Sequence, residues 1–64
     1  MSKMFDVVEV DVAIDMVRSG TRHVDLKPQN AEVRRSQHTL VRQAKLVSHS
    51  YGNEPNRRVR VFRH

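Results

Sequence analysis

Apolar and polar residues alternate with two different periods along the chain and divide it into four segments. The breaks fall where turn-forming residues cluster, at Ser19-Gly20, Pro28-Gln29-Asn30 and Gly52-Asn53-Glu54-Pro55. No segment is repeated, and no linker is long enough to separate two domains. The pattern therefore predicts one domain over residues 1–64.

The first segment, Phe5 to Ser19, fits both periods. A strand-like alternation joins Val8, Val10, Val12, Ile14 and Met16. A helical stripe joins Val7, Val10, Ala13, Ile14 and Val17, with Asp11, Asp15 and Arg18 on the opposite side. An unbroken strand of this length is unusual in a small domain, and Gly20 stands where a helix C-cap glycine belongs. We predict a helix, with a short strand at its start as the alternative.

The later segments carry clearer patterns. His23–Leu26 alternates as a strand, and Asn30 is a good N-cap for a helix that runs to about Lys45. This second helix has an apolar stripe of Val33, Leu40, Val41 and Ala44. Leu46–Ser50 and Arg57–Phe62 form a predicted hairpin around a turn at residues 51–55. The order helix, strand, helix, strand, strand predicts an α+β fold, a three-stranded antiparallel sheet with two helices packed on one face.

Charge is the next informative feature. The 64 residues, 7.5 kDa in all, carry a net charge of +5. Residues 1–20 hold two cations against four acidic groups, a net of −2, and residues 21–64 hold ten against three, a net of +7. Such a density of positive charge suggests a polyanionic partner, nucleic acid or an acidic membrane surface. Charge that serves solubility alone is the alternative.

Several classes of function are disfavoured. The chain has no cysteine and no apolar stretch near the 18 residues of a membrane span, so we expect a soluble, cytoplasmic protein. Four histidines are scattered without metal-ligand spacing, and no glycine-rich phosphate loop is present. Ser36 and His38 are two apart on the second helix and point to different faces. We predict no metal, no cofactor and no enzymatic activity.

The second helix also carries a basic row. Arg34 and His38 are four residues apart, and Arg42 and Lys45 extend or border the same face. The row is expected to face solvent, because the apolar stripe turns toward the sheet. On its own, such a row is most often a solvated helix face.

The wider sequence resembles a known family. Arg34-Arg35-Ser36-Gln37-His38 is followed by the run Ser50-Tyr51-Gly52-Asn53-Glu54-Pro55-Asn56-Arg57-Arg58-Val59. Together they resemble the domain family named for arginine, three residues and histidine (R-three-H) over about residues 20–63. The resemblance implies a non-catalytic domain that binds single-stranded DNA or RNA, with the same α+β fold. It also implies relatives attached to KH domains, helicases and AAA-type ATPases of bacteria and plastids.

The resemblance assigns positions residue by residue. Arg34 and His38 occupy the motif, and the hairpin positions fall on Gly52, Glu54, Pro55, Arg57 and Arg58. Gly52 is expected to supply a positive φ, and Glu54 and Pro55 to shape the turn, with Glu54 paired to an arginine. The residues expected to bind nucleic acid are Arg34, His38, Arg35, Arg42, Lys45, Arg57, Arg58 and Arg60.

The basic and aromatic residues suggest individual roles. Arg34 can place a bidentate fork on a phosphate, and an exposed His38 adds a cationic donor below about pH 6.5; a neutral His38 packed on the sheet is the alternative. Strand alternation allows only one of Arg57 and Arg58 to join the helix surface. The aromatic residues Phe5, Tyr51 and Phe62 are too few for a broad stacking platform, and Phe62 is expected in the core or as sheet cover.

The preferred function is binding of single-stranded RNA or DNA with low sequence specificity by a monomer. The alternative is a protein-interaction or regulatory module of a larger ATPase, helicase or KH-containing protein. The chain is either free-standing or part of such a protein.

Overall fold

Five elements follow one another in the predicted order. The structure is a computed structural model that describes residues 2–63, with side chains from residue 7 onward. The elements are α1 (Ser2–Arg18), β1 (His23–Asp25), α2 (Ala31–Gln43), β2 (Val47–Tyr51) and β3 (Arg58–Phe62). The α+β prediction is confirmed. A strand at the start of the first segment is wrong, because α1 is helical from Ser2.

The sheet is antiparallel and has β3 at its centre. The strand order is β1-β3-β2, so β2 is an edge strand that contacts β3 alone within the sheet. Val24 of β1 and Ser48 of β2 both pair with Val61 of β3, and Ser50 pairs with Val59. These paired residues share one face of the sheet, because alternate side chains of a strand point the same way.

The core lies between that face and the helices. Its buried members are Val10, Ala13, Ile14, Val17, Leu26, Val41, Val59 and Val61. Leu40 and Ala44 of the predicted α2 stripe pack against them. Val7, the first member of the α1 stripe, is 43% exposed and lies outside this core. The helices thus cover one face of the sheet. The side chains that alternate with the core valines of β3 project from the other face; these are Arg58, Arg60 and Phe62.

Both helices end in the same backbone motif. After α1, the N–H of Gly20 donates to Val17 and that of Thr21 to Met16, which is a Schellman motif with Gly20 in the left-handed region (φ 118°). After α2, Lys45 takes the glycine position with a φ of 62°. Its N–H donates to Arg42. This conformation turns the chain from α2 into β2 within three residues.

The start of α2 is fixed by its predicted cap. The side-chain oxygen of Asn30 accepts from the N–H of Val33 at 2.9 Å, which satisfies one of the free donors at the helix start. Glu32 lies in the first turn, where a carboxylate is favoured by the helix dipole. The cap thus defines where α2 begins, and the packing of Val41 and Leu40 into the core orients the helix.

No helix in the described part of the chain is both long and apolar enough to cross a membrane.

Candidate functional site

Arg34 connects α2 to the β2–β3 hairpin. Its Nη1 donates to the carbonyl oxygen of Gln29 at 2.6 Å, and its Nη2 lies 3.1 Å from the Glu54 carboxylate. Nη1 also lies 3.4 Å from the second Glu54 oxygen, so the guanidinium forms a fork on this carboxylate. Arg34 is only 8% exposed. The prediction of a solvent-facing row is therefore wrong for Arg34, because the hairpin turn folds back over the start of α2.

His38 makes a second connection between the same two elements, one turn further along α2. Its Nδ1 lies 2.5 Å from the Ser48 hydroxyl, and its Nε2 lies 2.8 Å from the Ser50 hydroxyl. A neutral ring satisfies both contacts, because its protonated nitrogen donates to one serine hydroxyl and its other nitrogen accepts from the second serine hydroxyl. His38 is half-buried, and the packed alternative describes it better than the solvent-facing one.

The electrostatic surroundings of His38 favour its neutral form. Burial is the main factor that lowers the pKa of His38, and positive charge adds to it. That charge comes from Arg42, His49, Arg34 and Arg57. Positive charge from α2 and from the hairpin thus acts on the half-buried His38 ring at the junction of these two elements.

The turn of the hairpin has the geometry expected from its residues. Gly52 has a φ of 87°, and a Cβ there would lie 2.8 Å from Nη1 of Arg58 and 3.3 Å from the carbonyl oxygen of Asn56. The Glu54–Pro55 peptide bond is cis. Arg57 donates to the carbonyl oxygen of Gly52 at 2.8 Å and closes the turn. The predicted positive φ and the pairing of Glu54 with an arginine are both confirmed.

Four predicted cations remain available beside this junction. Arg35 and Arg42 are exposed on the outer flank of α2, Lys45 is exposed just after its end, and Arg57 is half-exposed just before β3. None of the four forms an ion pair with another residue in the described part of the chain. We call the surface formed by Arg35, His38, Arg42, Lys45 and Arg57 the α2–hairpin surface.

Arg58 and Arg60 do not belong to this surface. They project from the sheet face that the helices leave uncovered, where both contact Asp25 of β1, Arg60 at 2.6 Å and Arg58 at 3.2 Å. The Arg60 hydrogen bond is the main factor that lowers the pKa of Asp25, and Arg58 lowers it further. The predicted binding residues are therefore divided between two faces, as strand alternation requires of Arg57 and Arg58.

Two other arginines have structural partners at the helix ends. Arg63 donates to the carbonyl oxygens of Val17 and Arg18 at the end of α1, and Arg18 donates to that of Ala44 after α2. Cations at these positions donate to carbonyl groups at the helix ends and interact favourably with the negative end of the helix dipole.

Sequence reasoning missed His49. This exposed side chain projects between Val47 and Tyr51 on the uncovered sheet face, with its ring 5.4 Å from that of Phe62 and nearly parallel to it. The alternation of β2 could have identified it, because Val47, His49 and Tyr51 must project from the same face of the sheet. Phe62 is sheet cover rather than core.

The described residues contain no group of three or more histidine, cysteine or acidic side chains placed to hold a metal ion. Phe5 and His64 lie outside the side chains that the structure describes.

The fold and the junction define a class: a small basic α+β domain whose second helix is joined to a hairpin by an arginine and a histidine four residues apart. The family model of the R-three-H domain matches residues 5–63, nearly the whole chain, and the chain belongs to the R-three-H domain family. The R-three-H domain is generally a nucleic-acid-binding domain. Comparison with curated proteins and with solved structures gives no significant match.

Proposed function

We propose that this R-three-H domain binds single-stranded nucleic acid, RNA or DNA, with low sequence specificity and without catalysing a reaction. The observation that carries the proposal is the presence of exposed Arg42 on α2 and half-exposed Arg57 on the hairpin, two elements that His38 connects through its hydrogen bonds to β2. Neither arginine is paired with a carboxylate in the described part of the chain. Unpaired cations gathered at one junction attract a polyanion.

The residues divide into two roles. Arg35, Arg42, Lys45 and Arg57 supply positive charge to backbone phosphates. Arg34 and His38, whose polar atoms already have partners within the protein, are positioning residues that hold the hairpin against α2. Arg34 and His38 thus build the binding surface, and the neighbouring cations make most of the contacts to the nucleic acid.

The geometry favours a single strand over a duplex. A helix that reads duplex DNA lies in the major groove and needs a free face for base edges. Here the hairpin occupies one side of α2 through Arg34 and His38, and the basic flank carries only Arg35 and Arg42. A flexible single strand can follow an irregular path from this flank to the hairpin. Contacts to phosphates carry no base information, hence the low specificity.

The proposal applies equally to a free-standing cytoplasmic monomer and to a module of a larger ATPase, helicase or KH-containing protein.

The salt dependence of affinity tests the proposal. Each phosphate contact with a single strand contributes about 0.7 to the slope of log affinity against log salt, so four contacts predict a slope of about −3. Fluorescence anisotropy with a short labelled strand measures it. Arg42→Ala is expected to reduce the slope by about 0.7 and to weaken all sequences about equally.

The matched control is Arg22→Ala. Arg22 is exposed next to β1, at the edge of the sheet away from β2, and its loss changes the net charge by the same amount. The proposal predicts little change for this variant. Equal effects of Arg22→Ala and Arg42→Ala would mean that only overall charge attracts the strand, and would favour the protein-interaction alternative.

A further inference from the structure

The uncovered face of the sheet gathers aromatic and charged side chains in register. His49 is directly opposite Arg60 and Tyr51 is opposite Arg58, while Phe62 is flanked by Val47 and His23 on its two neighbouring strands. We call the group formed by His49, Tyr51, Phe62 and Arg60 the ring cluster.

The rings of this cluster contact one another and stay accessible. The His49 and Phe62 rings are stacked, with centroids 5.4 Å apart and planes inclined by 23°. Tyr51 meets His49 edge-on at 6.3 Å. The Arg60 guanidinium lies 4.8 Å from the Tyr51 ring centroid, in a cation–π contact. His49 and Tyr51 are nevertheless exposed, Tyr51 by 39%.

The charge around the cluster suits an anionic ligand. Two arginines, Arg58 and Arg60, share the single carboxylate of Asp25, so these three side chains together keep a net positive charge. Asp25 contacts both guanidinium groups from β1, and the Arg60 guanidinium also lies over the Tyr51 ring. Flat rings beside fixed arginines provide the surface on which nucleobases stack, whatever their identity.

The ring cluster is continuous with the α2–hairpin surface through one strand. Ser48 and Ser50 of β2 contact His38, while His49 and Tyr51, which alternate with them, belong to the cluster. Because β2 is an edge strand, both surfaces meet at its free edge. A nucleic-acid chain bound on one side reaches the other by crossing this edge.

We propose that the ring cluster stacks bases of the same single strand whose phosphates the α2–hairpin surface binds. The proposal rests on the proposed function and adds the part of the ligand that charge alone does not recognise. His49 and Tyr51 supply the stacking surfaces, and Phe62 and Arg60 support them from β3. The strand is thus held by its backbone on one side of β2 and by its bases on the other.

Removal of the bases provides the test. Affinity is compared for a short single strand and for an abasic strand of the same length and phosphate count, at the same salt concentration. Stacking predicts that the normal strand binds about tenfold tighter or more. His49→Ala and Tyr51→Ala are each expected to remove most of this difference and to leave the affinity for the abasic strand nearly unchanged.

Tyr51 itself gives a direct signal, because the chain has one tyrosine and no tryptophan. The normal strand is expected to quench tyrosine fluorescence and to shift the Tyr51 ring protons, whereas the abasic strand is expected to do neither. Tyr51→Phe is the conservative control. It retains the ring and is expected to bind like the parent in anisotropy, and circular dichroism verifies that each variant is folded.

Three outcomes would overturn the inference. Equal affinity for the two strands, with Arg42→Ala still weakening both more than Arg22→Ala does, would reject base stacking and leave the proposed function intact. Equal effects of Arg42→Ala and Arg22→Ala would reject the proposed function and this inference with it. Tyr51 proton shifts that depend on protein concentration without nucleic acid would show that a second copy of the chain occupies the face.

Discussion

The two residues that name the family act here within the protein. The Arg34 guanidinium is engaged by Gln29 and Glu54, and both ring nitrogens of His38 are engaged by serines of β2. Each side chain joins α2 to the hairpin at a point one helical turn from the other. Their first effect on function is therefore through the shape of the molecule.

Arg34→Ala is expected to destabilise the domain. The change leaves the Gln29 carbonyl and the Glu54 carboxylate without their cation, and a buried hydrogen bond to a charged group contributes about 1.5–3 kcal/mol. Urea unfolding of the variant measures this loss. The control is Arg35→Ala, at an exposed neighbouring position, for which we expect a change below about 0.5 kcal/mol. Similar stabilities for the two variants would show that Arg34 does not connect helix and hairpin.

His38 is expected to make stability depend on pH. Burial and the nearby Arg42, His49, Arg34 and Arg57 lower the pKa of His38, so the folded protein favours the neutral ring. An unfolded histidine titrates near pH 6.5, so this contribution to the free energy of unfolding is complete above about pH 6.5. It is lost as the pH falls from there toward the folded-state pKa.

The measurement compares unfolding at pH 7.5 and at pH 5.5. His38→Gln keeps a donor and an acceptor for the two serines and removes the titration, so this variant is expected to lose less stability on acidification than the parent. His23, His49 and His64 are present in both proteins and cancel in the comparison. An identical loss in the two proteins would place the titrating group elsewhere.

At the scale of elements, the two helix ends make a matched pair. Both use a left-handed residue in a Schellman motif, but α1 uses Gly20 and α2 uses Lys45. A side chain in the left-handed region is strained, and glycine is not. Lys45→Gly is therefore expected to raise the free energy of unfolding by about 1 kcal/mol, and Gly20→Ala to lower it by about the same amount.

Both variants are checked by thermal or urea unfolding. A Cβ added at Gly20 would meet no atom within 4 Å, so Gly20→Ala reports backbone strain without a steric clash. Lys45→Gly also removes one cation from the α2–hairpin surface and is expected to reduce the salt slope of binding by about 0.7. A destabilised Lys45→Gly variant would mean that the lysine side chain makes a contact which outweighs the strain.

The elements could be predicted from the sequence, since each depends on local patterns. The Asn30 cap, the apolar stripe of α2 and the alternation of β3 identified their elements within a few residues. The surroundings of Arg34 could not be predicted in this way. Its burial depends on Glu54, twenty residues later, and on how far the hairpin turn folds back over α2. Spacing along one helix places Arg34 and His38 on a common face but does not show what covers that face.

At the scale of the whole molecule, the charges are separated between elements. The described part of α1 carries Glu9, Asp11 and Asp15, whereas α2 and the hairpin carry the cations of the α2–hairpin surface. A polyanion approaching the molecule is therefore directed toward α2 and the hairpin and away from α1. The proposed path of the strand from this surface to the uncovered sheet face crosses the free edge of β2.

The most direct test of the central claim is a map of backbone amide shifts during titration with a short single strand. We expect the shifts to concentrate on α2 around Arg35 and Arg42 and on the hairpin from Gly52 to Arg58, with smaller changes along β2. Shifts centred on α1, or spread evenly over the molecule, would contradict binding at the α2–hairpin surface.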